Sequence, residues 1–255
     1  MKDIIIKTDT EIESMRKAGR FLAEAFNVLR SAVKPGLEAW ELEKLFISFC
    51  QDNNLEPSCK GYAPVGLAPF PTGLCLGIND QSVHCYVREG EILNEGDLLK
   101  LDTIVGYENT YIDSAITLGV GEISESRKRL IDTTQLALDQ AISKVKPGIK
   151  TGVISNTIEK IVGNAGYSVL TDYAGHGIGR MIHEGPDIPC YGKKNSGVKL
   201  KPGMTIAIEP LICEKNSRLK YNDGWETRTV DGGDFAQIEH TVLVTEIGHE
   251  VLTRL

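Results

Sequence analysis

The N-terminal part of the chain contains two stretches in which apolar side chains recur every three or four positions. The first runs from Glu11 to Val33, and Thr10 followed three residues later by Glu13 has the spacing of a capping box. After Lys34-Pro35-Gly36, a second stretch begins near Trp40 and closes before Asp52. This periodicity, interrupted by a Pro-Gly break, predicts two amphipathic helices.

The same order of elements returns from Ser124 onward. A third apolar periodicity stops at Lys146-Pro147-Gly148, and a fourth follows, for which Thr151 is the expected N-cap and Gly163 or Gly166 the expected end. A β-rich stretch follows each helix pair. We therefore predict one domain spanning residues 1–255, built from two related halves at about 1–120 and 121–255. Its fold class would be α+β, with helices covering an antiparallel curved sheet.

Acidic residues occupy matched positions in the two β-rich stretches. Asp102 and Glu209 each lie six residues after a turn glycine, and both are surrounded by Leu, Ile, Val and Ala. Asp113 and Glu239 form a second pair in strand-like runs rich in Ile, Val, Thr and Leu. A single buried carboxylate is usually satisfied by backbone donors or an arginine. Four of them brought together by a pseudo-twofold axis would repel each other, and a bound cation is the simplest remedy.

His176 is the candidate imidazole ligand. It lies in Ala174-Gly175-His176-Gly177-Ile178-Gly179, which we interpret as a glycine-rich turn that allows close approach to a site. Carboxylates joined by one imidazole favour Mn, Fe, Co or Zn over Ca. We therefore expect two divalent ions as cofactors and hydrolytic chemistry. The glycine spacing does not fit a nucleotide-binding loop, which excludes a nucleotide cofactor.

Composition narrows the cellular context. The net charge of −7 opposes nonspecific attraction to phosphate backbones or anionic membranes, so nucleic acid is not expected as the primary partner. The first residues have too short an apolar run for a signal peptide, and no stretch approaches the length of a membrane span. Six scattered cysteines indicate reduced, mostly buried thiols. We expect a cytoplasmic protein.

At this point the ordered motifs resemble the type I methionine aminopeptidases, which share the duplicated pita-bread metallopeptidase fold. The resemblance covers nearly the whole chain and is specific in combination. Its motifs are Lys34-Pro35-Gly36, Gly61-Tyr62, Gly77-Ile78-Asn79, Val83-His84, Gly175-His176-Gly177-Ile178-Gly179, His183-Glu184, Lys201-Pro202-Gly203-Met204, Ile208-Glu209-Pro210, Asp223-Gly224-Trp225 and Glu239-His240-Thr241.

The resemblance implies a role for each metal ligand. Asp113 and Glu239 would bridge both ions, Asp102 would complete one, and His176 with Glu209 the other. Glu209 would also carry the proton of the nucleophile. The free amine of the substrate would approach the ion held by Asp102, which implies an exopeptidase.

The resemblance also implies a catalytic shell and a methionine pocket. His183 would support the oxyanion, and His84 would contact the nitrogen of the scissile amide. Apolar and sulfur-containing walls suit a thioether, although the same residues could be ordinary core. The implied pocket residues are Cys59, Tyr62, Phe70, Cys75, Ile182 and Trp225.

The chain departs from the family pattern around the substrate. Cys85-Tyr86-Val87 follows His84 where Gly, a β-branched residue and Pro are usual, and extra residues from Val65 to Pro69 lengthen the pocket loop. Ala63 stands where a second histidine is expected, and Ile112-Asp113-Ser114 replaces Gly-Asp-Thr. We therefore expect an intact hydrolytic site with an altered peptide-recognition surface.

Two alternatives remain open. A prolidase or aminopeptidase P would share the ligands but cleave X-Pro bonds, and such relatives usually carry an extra N-terminal domain. A binding protein on a degenerate peptidase fold would be expected to lose ligands. For the favoured hydrolase, the expected partners are the N-termini of nascent polypeptides, at the ribosome or free, and the expected state is a monomer.

Overall fold

The computed structural model describes residues 3–222 and 224–254, so Asp223 of the Asp223-Gly224-Trp225 motif lies outside the described residues. The helices are α1 Asp9–Ala32, α2 Trp40–Asp52, α3 Glu125–Ile142 and α4 Thr151–Asn164. The strands are β1 Glu56–Pro57, β2 Cys75–Ile78, β3 Leu98–Tyr107, β4 Thr110–Gly119, β5 Ser168–Val169, β6 Ala174–Gly177, β7 Glu184–Pro189, β8 Thr205–Ile208, β9 Leu211–Cys213, β10 Leu219–Tyr221, β11 Thr227–Thr229, β12 Phe235–Gln237, β13 Glu239–Val244 and β14 His249–Val251. The element order confirms the predicted pairs of helices, each followed by strands.

One nine-stranded antiparallel sheet organises the molecule. Its main path runs β1-β3-β4-β13-β8-β6-β7, with β2 beside β3 and β14 beside β13. The long hairpin of β3 and β4 comes from the first half of the chain, and β13, β8, β6 and β7 come from the second. The two halves therefore meet at the centre of the sheet, where β4 pairs with β13.

The pairing of β4 with β13 carries the internal symmetry. Ser114 lies opposite His240, and Glu239 lies opposite Ala115. A twofold axis through the Ser114–His240 pair exchanges β4 with β13 and places Asp113 and Glu239 in equivalent positions. Because β3 flanks β4 as β8 flanks β13, the same axis relates the outer strands. We propose that the chain forms one domain whose halves are joined at this axis.

The first helix starts earlier than its sequence pattern indicates. Its N-cap is Thr8, whose hydroxyl accepts the Glu11 amide proton while the Glu11 carboxylate accepts the Thr8 amide proton. The capping box predicted at Thr10 and Glu13 is therefore wrong. The Thr-x-x-Glu spacing occurs twice in succession, and capping at Thr8 adds two residues to the helix and places Asp9 in its first turn, where negative charge is favourable.

The start of α4 also differs from the prediction. The N-cap is Lys150, and Thr151 is the first helical residue. The buried Thr151 hydroxyl instead accepts a hydrogen bond from the Val198 amide at 3.2 Å, a tertiary contact that the local sequence does not reveal. The helix ends at Asn164, and Gly166 follows with φ +85°, as expected for a glycine after a helix.

The helices cover the sheet face opposite the four acidic residues. On β4, Ile112 faces α1, and a Cβ at Gly19 would lie 3.1 Å from the Ile112 Cδ1 atom. The same Cβ would lie 2.0 Å from the Leu252 carbonyl oxygen, so only glycine fits there. Side chains alternate along a strand, so Asp113 points to the other face. The helices thus leave that face free to form a site.

None of the helices in the described ranges is long and apolar enough to cross a membrane.

Candidate metal centre

The strand register brings the first-half acids to one face of the sheet. Asp102 lies opposite Ala115, and Asp113 lies two residues from Ala115 on the same strand. Residues directly opposite in an antiparallel pair share a face, as do residues two apart on a strand. Since Glu239 also lies opposite Ala115 from the other side, Asp102, Asp113 and Glu239 project together.

The predicted ligands of the second half lie on the same face, at or near the ends of their strands. His240 pairs with Ile208, so the next step along both strands places Glu239 beside Glu209. On the neighbouring strand, Gly177 pairs with Ile206, which puts the adjacent His176 on the face of Glu209. The structure therefore brings all five predicted ligand residues to one side of the sheet. We call this group the floor; it consists of Asp102, Asp113, His176, Glu209 and Glu239.

Glycines position His176 by allowing close strand contact. A Cβ at Gly175 would lie 2.5 Å from the Ala207 carbonyl oxygen, and one at Gly177 would lie 2.1 Å from the Gly185 carbonyl oxygen. His176 is therefore held in strand β6, and the predicted glycine-rich turn is wrong at this position. The close approach that these glycines allow is between neighbouring strands.

The His176 ring is oriented for coordination. Its Nδ1 atom lies 2.9 Å from the Gly177 carbonyl oxygen, a contact that favours the tautomer with the proton on Nδ1 and the lone pair on Nε2. Nε2 lies 3.7 Å from the Asp113 Oδ2 atom. A hydrogen-bonded carbonyl on the far nitrogen is the usual support of a metal-binding imidazole.

The donor set fits a metal ion. Asp113, His176 and Glu239 are buried, and each offers one ligand atom within 4.8 Å of the others. Asp113 Oδ1 and Glu239 Oε1 are buried oxygens without a hydrogen-bond partner in the structure. Such orphaned carboxylate oxygens are costly unless a cation binds them. These residues therefore fit a divalent ion on the evidence of their own geometry.

The pKa values of the four carboxyl groups also indicate that a cation would stabilise their ionised forms. Loss of water inside the cavity raises the pKa of Asp102 to about 7, and with repulsion from Asp102 it raises the pKa of Glu209 to about 8. Burial, followed by repulsion from the neighbouring carboxylates, raises the pKa of both Asp113 and Glu239 well above the usual range. Without a cation, the floor therefore retains protons at neutral pH.

Gln237 is a site residue that the sequence analysis missed. Its Nε2 atom donates to Asp102 Oδ2 at 3.2 Å and lies 3.5 Å from Glu209 Oε2, so one amide joins ligands from both halves. Its backbone amide donates a hydrogen bond to the hydroxyl of Thr117, a residue of the first half, at 3.0 Å. The signal in the sequence was its position two residues before Glu239 in a strand-like run.

Two histidines stand above the floor. The His183 ring centroid lies 4.5 Å from that of His176, and the Tyr62 hydroxyl lies 3.2 Å from His183 Nδ1. His84 packs edge-on against Tyr173 at 4.9 Å. Burial, with the nearby His183 charge, lowers the pKa of His84 to about 4, so this imidazole is neutral at neutral pH. Both histidines line the cavity that contains the floor.

The predicted pocket residues surround the same space. Trp225 packs edge-on against Phe70 at 5.1 Å, and its Nε1 atom donates to the Ala68 carbonyl at 2.7 Å. One cavity of about 560 Å³ is lined by the five floor residues, His84, His183 and the pocket set Cys59, Tyr62, Phe70, Cys75, Ile182 and Trp225. The structure thus brings together every residue predicted for the site.

The departures from the family pattern lie partly at the cavity rim and partly on strand β4 and the segment after His84. Ala63 is exposed, and the loop that follows contributes Pro64 and Leu67 to the cavity lining. The Cys85 thiol donates to the Thr227 carbonyl at 3.2 Å, away from the floor. Ser114 donates from its hydroxyl to the Glu239 carbonyl at 2.7 Å, so it braces a floor strand. All six cysteines are free, as the sequence indicated.

Comparisons with known proteins agree with this geometry. A methionine aminopeptidase of Mycoplasma capricolum subsp. capricolum is 39% identical over 254 residues, covering 98% of each chain. The solved methionine aminopeptidase of Thermotoga maritima is 40% identical, has a TM-score of 0.95 and covers 99% of this chain and 100% of that one. The prolidase of Pyrococcus furiosus is 25% identical with a TM-score of 0.76, covering 98% of this chain but 66% of its own.

The family model of metallopeptidase family M24 matches residues 13–246. This range contains every residue of the floor, the two histidines above it and the pocket. The methionine aminopeptidase and the prolidase both have the pita-bread fold, so the structural matches confirm the predicted fold. The chain therefore belongs to metallopeptidase family M24 and, within it, to the type I methionine aminopeptidases.

Proposed function

We propose that this protein is a metal-dependent aminopeptidase that hydrolyses the N-terminal methionine from proteins and peptides. The observation that carries the proposal is the floor of the cavity, where Asp113 Oδ1 and Glu239 Oε1 are buried without partners beside His176 Nε2. Membership among the methionine aminopeptidases supports the substrate.

Two divalent ions, each Mn, Fe, Co or Zn, are the proposed cofactors. Asp113 and Glu239 lie nearest the axis between the halves and would contribute to both ions. Asp102 would complete the ion on the first-half side, and His176 with Glu209 the ion on the second-half side. When bound, such ions supply an activated water and polarise the carbonyl of the substrate. Pairing of the four carboxylates by symmetry supports two ions over one.

The residues of the chain would orient the peptide and move its protons. Glu209 faces the cavity and can take the proton of the attacking water. His183, held by the Tyr62 hydroxyl, can donate to the carbonyl oxygen as negative charge develops. Neutral His84 can hydrogen-bond to the nitrogen of the scissile amide.

The pocket supports methionine as the first residue. Phe70 and Trp225 form an aromatic corner, and the thiols of Cys59 and Cys75 line the same cavity. A flexible thioether packs favourably against aromatic edges and sulfur. In this arrangement the methionine side chain would lie against these walls, with the free amine of the substrate toward Asp102.

A peptide panel tests this function against the alternatives. Protein freed of metal and then loaded with Mn, Fe, Co or Zn in turn should release methionine from Met-Ala-Ser faster than from a Met-Pro peptide. Faster cleavage of the Met-Pro peptide would favour a prolidase-like specificity. If no metal gives release and Glu209→Ala changes neither metal binding nor any measured property, the binding-protein alternative is correct.

The cellular setting completes the proposal. We infer action on nascent polypeptides in the cytoplasm, at the ribosome or free, by a monomeric enzyme. The N-terminal substrates implied by the relatives support this setting. Gel filtration with light scattering tests the monomeric state, and a dimer would contradict it.

A further inference from the structure

His84 lies at a bend between two segments that are held by different strands. Its φ of 57° is left-handed, a conformation that is uncommon for a residue with a side chain. Before the bend, Gln81 forms a β-bridge with Arg228 of β11, and after it Tyr86 forms one with Cys75 of β2. A change of backbone angles at this bend would turn the imidazole away from its place in the cavity. The direction of the ring therefore depends on the contacts that hold the bend.

Thr227 contacts the bend on both sides of His84. The Thr227 carbonyl oxygen accepts the Ser82 amide proton at 2.8 Å and the Cys85 thiol proton at 3.2 Å. The Thr227 hydroxyl donates to the Val83 carbonyl oxygen at 2.8 Å. Since that bond uses its only proton, the Thr227 hydroxyl accepts the Ser82 hydroxyl proton at 2.5 Å. We call Thr227, Ser82, Val83 and Cys85 the Thr227 clamp.

The Thr227 clamp is buried. Thr227 is 0% exposed, and its three partners are buried as well. If one of these hydrogen bonds were lost, a polar atom would remain in the interior without water to replace its partner. Other conformations of the bend break several of these bonds at once, so the clamp favours the single conformation that His84 adopts.

The Thr227 clamp also connects the bend to the pocket and to the floor. Thr227 is the first residue of β11 and follows Trp225 by two positions, and the ring centroids of Trp225 and His84 lie 6.1 Å apart. On the other side, the Cys85 carbonyl oxygen accepts an amide proton from β2 at 2.8 Å. Strand β2 pairs with β3, which carries Asp102. The place of His84 is thus set relative to both parts of the site.

We propose that Thr227 is a positioning residue that directs the His84 imidazole toward the nitrogen of the scissile amide. This inference rests on the proposed function, in which His84 makes that contact. Among the described residues that line the cavity, Val83 and His84 are included and Thr227 is not. Thr227 therefore acts on the reaction through His84 and not by touching the peptide.

The test compares two threonines of the same strand. Thr227→Val keeps the shape of the side chain and removes its hydroxyl, whereas Thr227→Ser keeps the hydroxyl. Thr229→Val is the matched control, because Thr229 is also 0% exposed and lies on β11, but its hydroxyl donates to the Gly233 carbonyl oxygen at 2.7 Å. Each substitution is made in the full Mn-loaded chain and again in a His84→Ala background.

Steady-state release of methionine from Met-Ala-Ser should separate the two threonines. Thr227→Val should lower kcat about 10-fold and leave KM within about twofold, because a catalytic group is displaced while the walls that bind methionine are kept. Thr229→Val and Thr227→Ser should stay within about threefold of the wild type, since the hydrogen bonds to the bend remain. In the His84→Ala background, Thr227→Val should change kcat by less than about twofold, because the group that it positions is absent.

The imidazole signals give a readout that requires no catalysis. Long-range proton–nitrogen spectra of the Zn-loaded protein labelled with nitrogen-15 histidine report on its five histidines, and the signals lost in His84→Ala identify that ring. Thr227→Val should shift the His84 signals, and Thr229→Val should leave them in place. If the wild type releases no methionine, the proposed function fails, and these signals still test whether Thr227 positions the ring.

A second variant weakens the Thr227 clamp without changing Thr227. Ser82→Ala combined with Cys85→Ala removes one side-chain contact on each side of His84. If Thr227→Val does not fold, this double variant takes its place in every comparison, with the same expected lowering of kcat and the same shift of the His84 signals.

Three results would overturn the proposal. One is an equal loss of kcat in Thr227→Val and Thr229→Val, which would mean that both hydroxyls serve only general stability. Another is a loss of kcat from Thr227→Val that persists undiminished in the His84→Ala background. The third is a His84 imidazole whose signals do not move in Thr227→Val.

Discussion

The two halves of the chain build the same floor by different means. In the first half, Asp102 and Asp113 lie within the hairpin of β3 and β4, whose ten residue pairs form a continuous ladder. In the second half, Glu209 directly follows the four-residue strand β8, and Glu239 is the first residue of β13. Short side chains therefore stand on a long rigid hairpin, and longer ones stand at strand ends.

The difference shows what the duplication preserved and what it changed. The axis through Ser114 and His240 still relates the backbone positions of Asp113 and Glu239. The side-chain lengths and the imidazole of His176 are not repeated in the first half. We infer that the hairpin fixes where the ions lie, while the second half adapts with longer carboxylates and an additional nitrogen ligand.

The largest expected effect comes from removing charge at the axis. Asp113→Asn and Glu239→Gln should each lower methionine release more than about 100-fold, because loss of even a supporting residue of a metal ligand typically costs 10- to 100-fold. The losses should be similar, since the axis makes the two positions equivalent. Steady-state kinetics at saturating metal measures this. If a variant keeps a tenth of wild-type activity or more, the substituted residue is not a metal ligand.

Exchanging side-chain lengths should have the next largest effect. Asp113→Glu and Glu239→Asp should each lower kcat about 10- to 100-fold, because a displacement of about 1 Å at a catalytic centre has effects of this size. The double exchange should not restore activity, since the hairpin and the strand end present their Cα atoms differently. Recovery in the double variant would show that the two halves are interchangeable.

Gln237 contacts one predicted ligand from each half, so substituting it tests both halves at once. Gln237→Leu should weaken metal binding about 10-fold, since the amide that orients Asp102 and Glu209 is lost. Calorimetric titration with Mn measures the change. Gln51→Leu is the matched control, because Gln51 is exposed at the end of α2 and should bind metal as the wild type does. Unchanged affinity in Gln237→Leu would make this residue a passive neighbour.

The raised pKa values of Asp102 and Glu209 predict how the stability of the metal-free protein depends on pH. Their folded pKa values of about 7 and about 8 lie above the ordinary values of 3.8 and 4.5. The folded metal-free protein therefore binds more protons than the unfolded chain, and its stability should fall as pH rises from about 4 to about 8. Added Mn should reverse this slope, because ligands must be deprotonated. Urea unfolding at several pH values tests the prediction, and stability that rises with pH in the metal-free protein would contradict it.

The sequence predicts the floor well because the information is repeated and local. Four acids at matched positions in apolar runs indicate both strand position and chemistry, whereas the glycines around His176 pointed to a turn and not to strand β6. The cap at Thr8 is missed because the Thr-x-x-Glu spacing occurs twice in succession, and the cap at Lys150 is missed because the Thr151 hydroxyl accepts a tertiary hydrogen bond from the Val198 amide. The support from Gln237 also depends on strand pairing that local sequence does not encode.

The pocket and catalytic histidines depend on a different kind of information. Cys59, Tyr62, Ile182 and Trp225 come from distant loops, and no periodicity brings them together. Only the family resemblance assigned them to one cavity, and the structure places them there. His84 adopts φ 57°, an uncommon backbone conformation for a residue with a side chain, which pattern analysis does not foresee.

Metal-dependent release of methionine tests the central claim most directly. Chelator-treated wild type is titrated with Mn while methionine release from Met-Ala-Ser and metal binding are followed in parallel. The account predicts no release without metal, activity that rises in step with binding, and no comparable activity in Asp113→Asn at any Mn concentration. Undiminished release after removal of the metal, or wild-type release by Asp113→Asn, would contradict it.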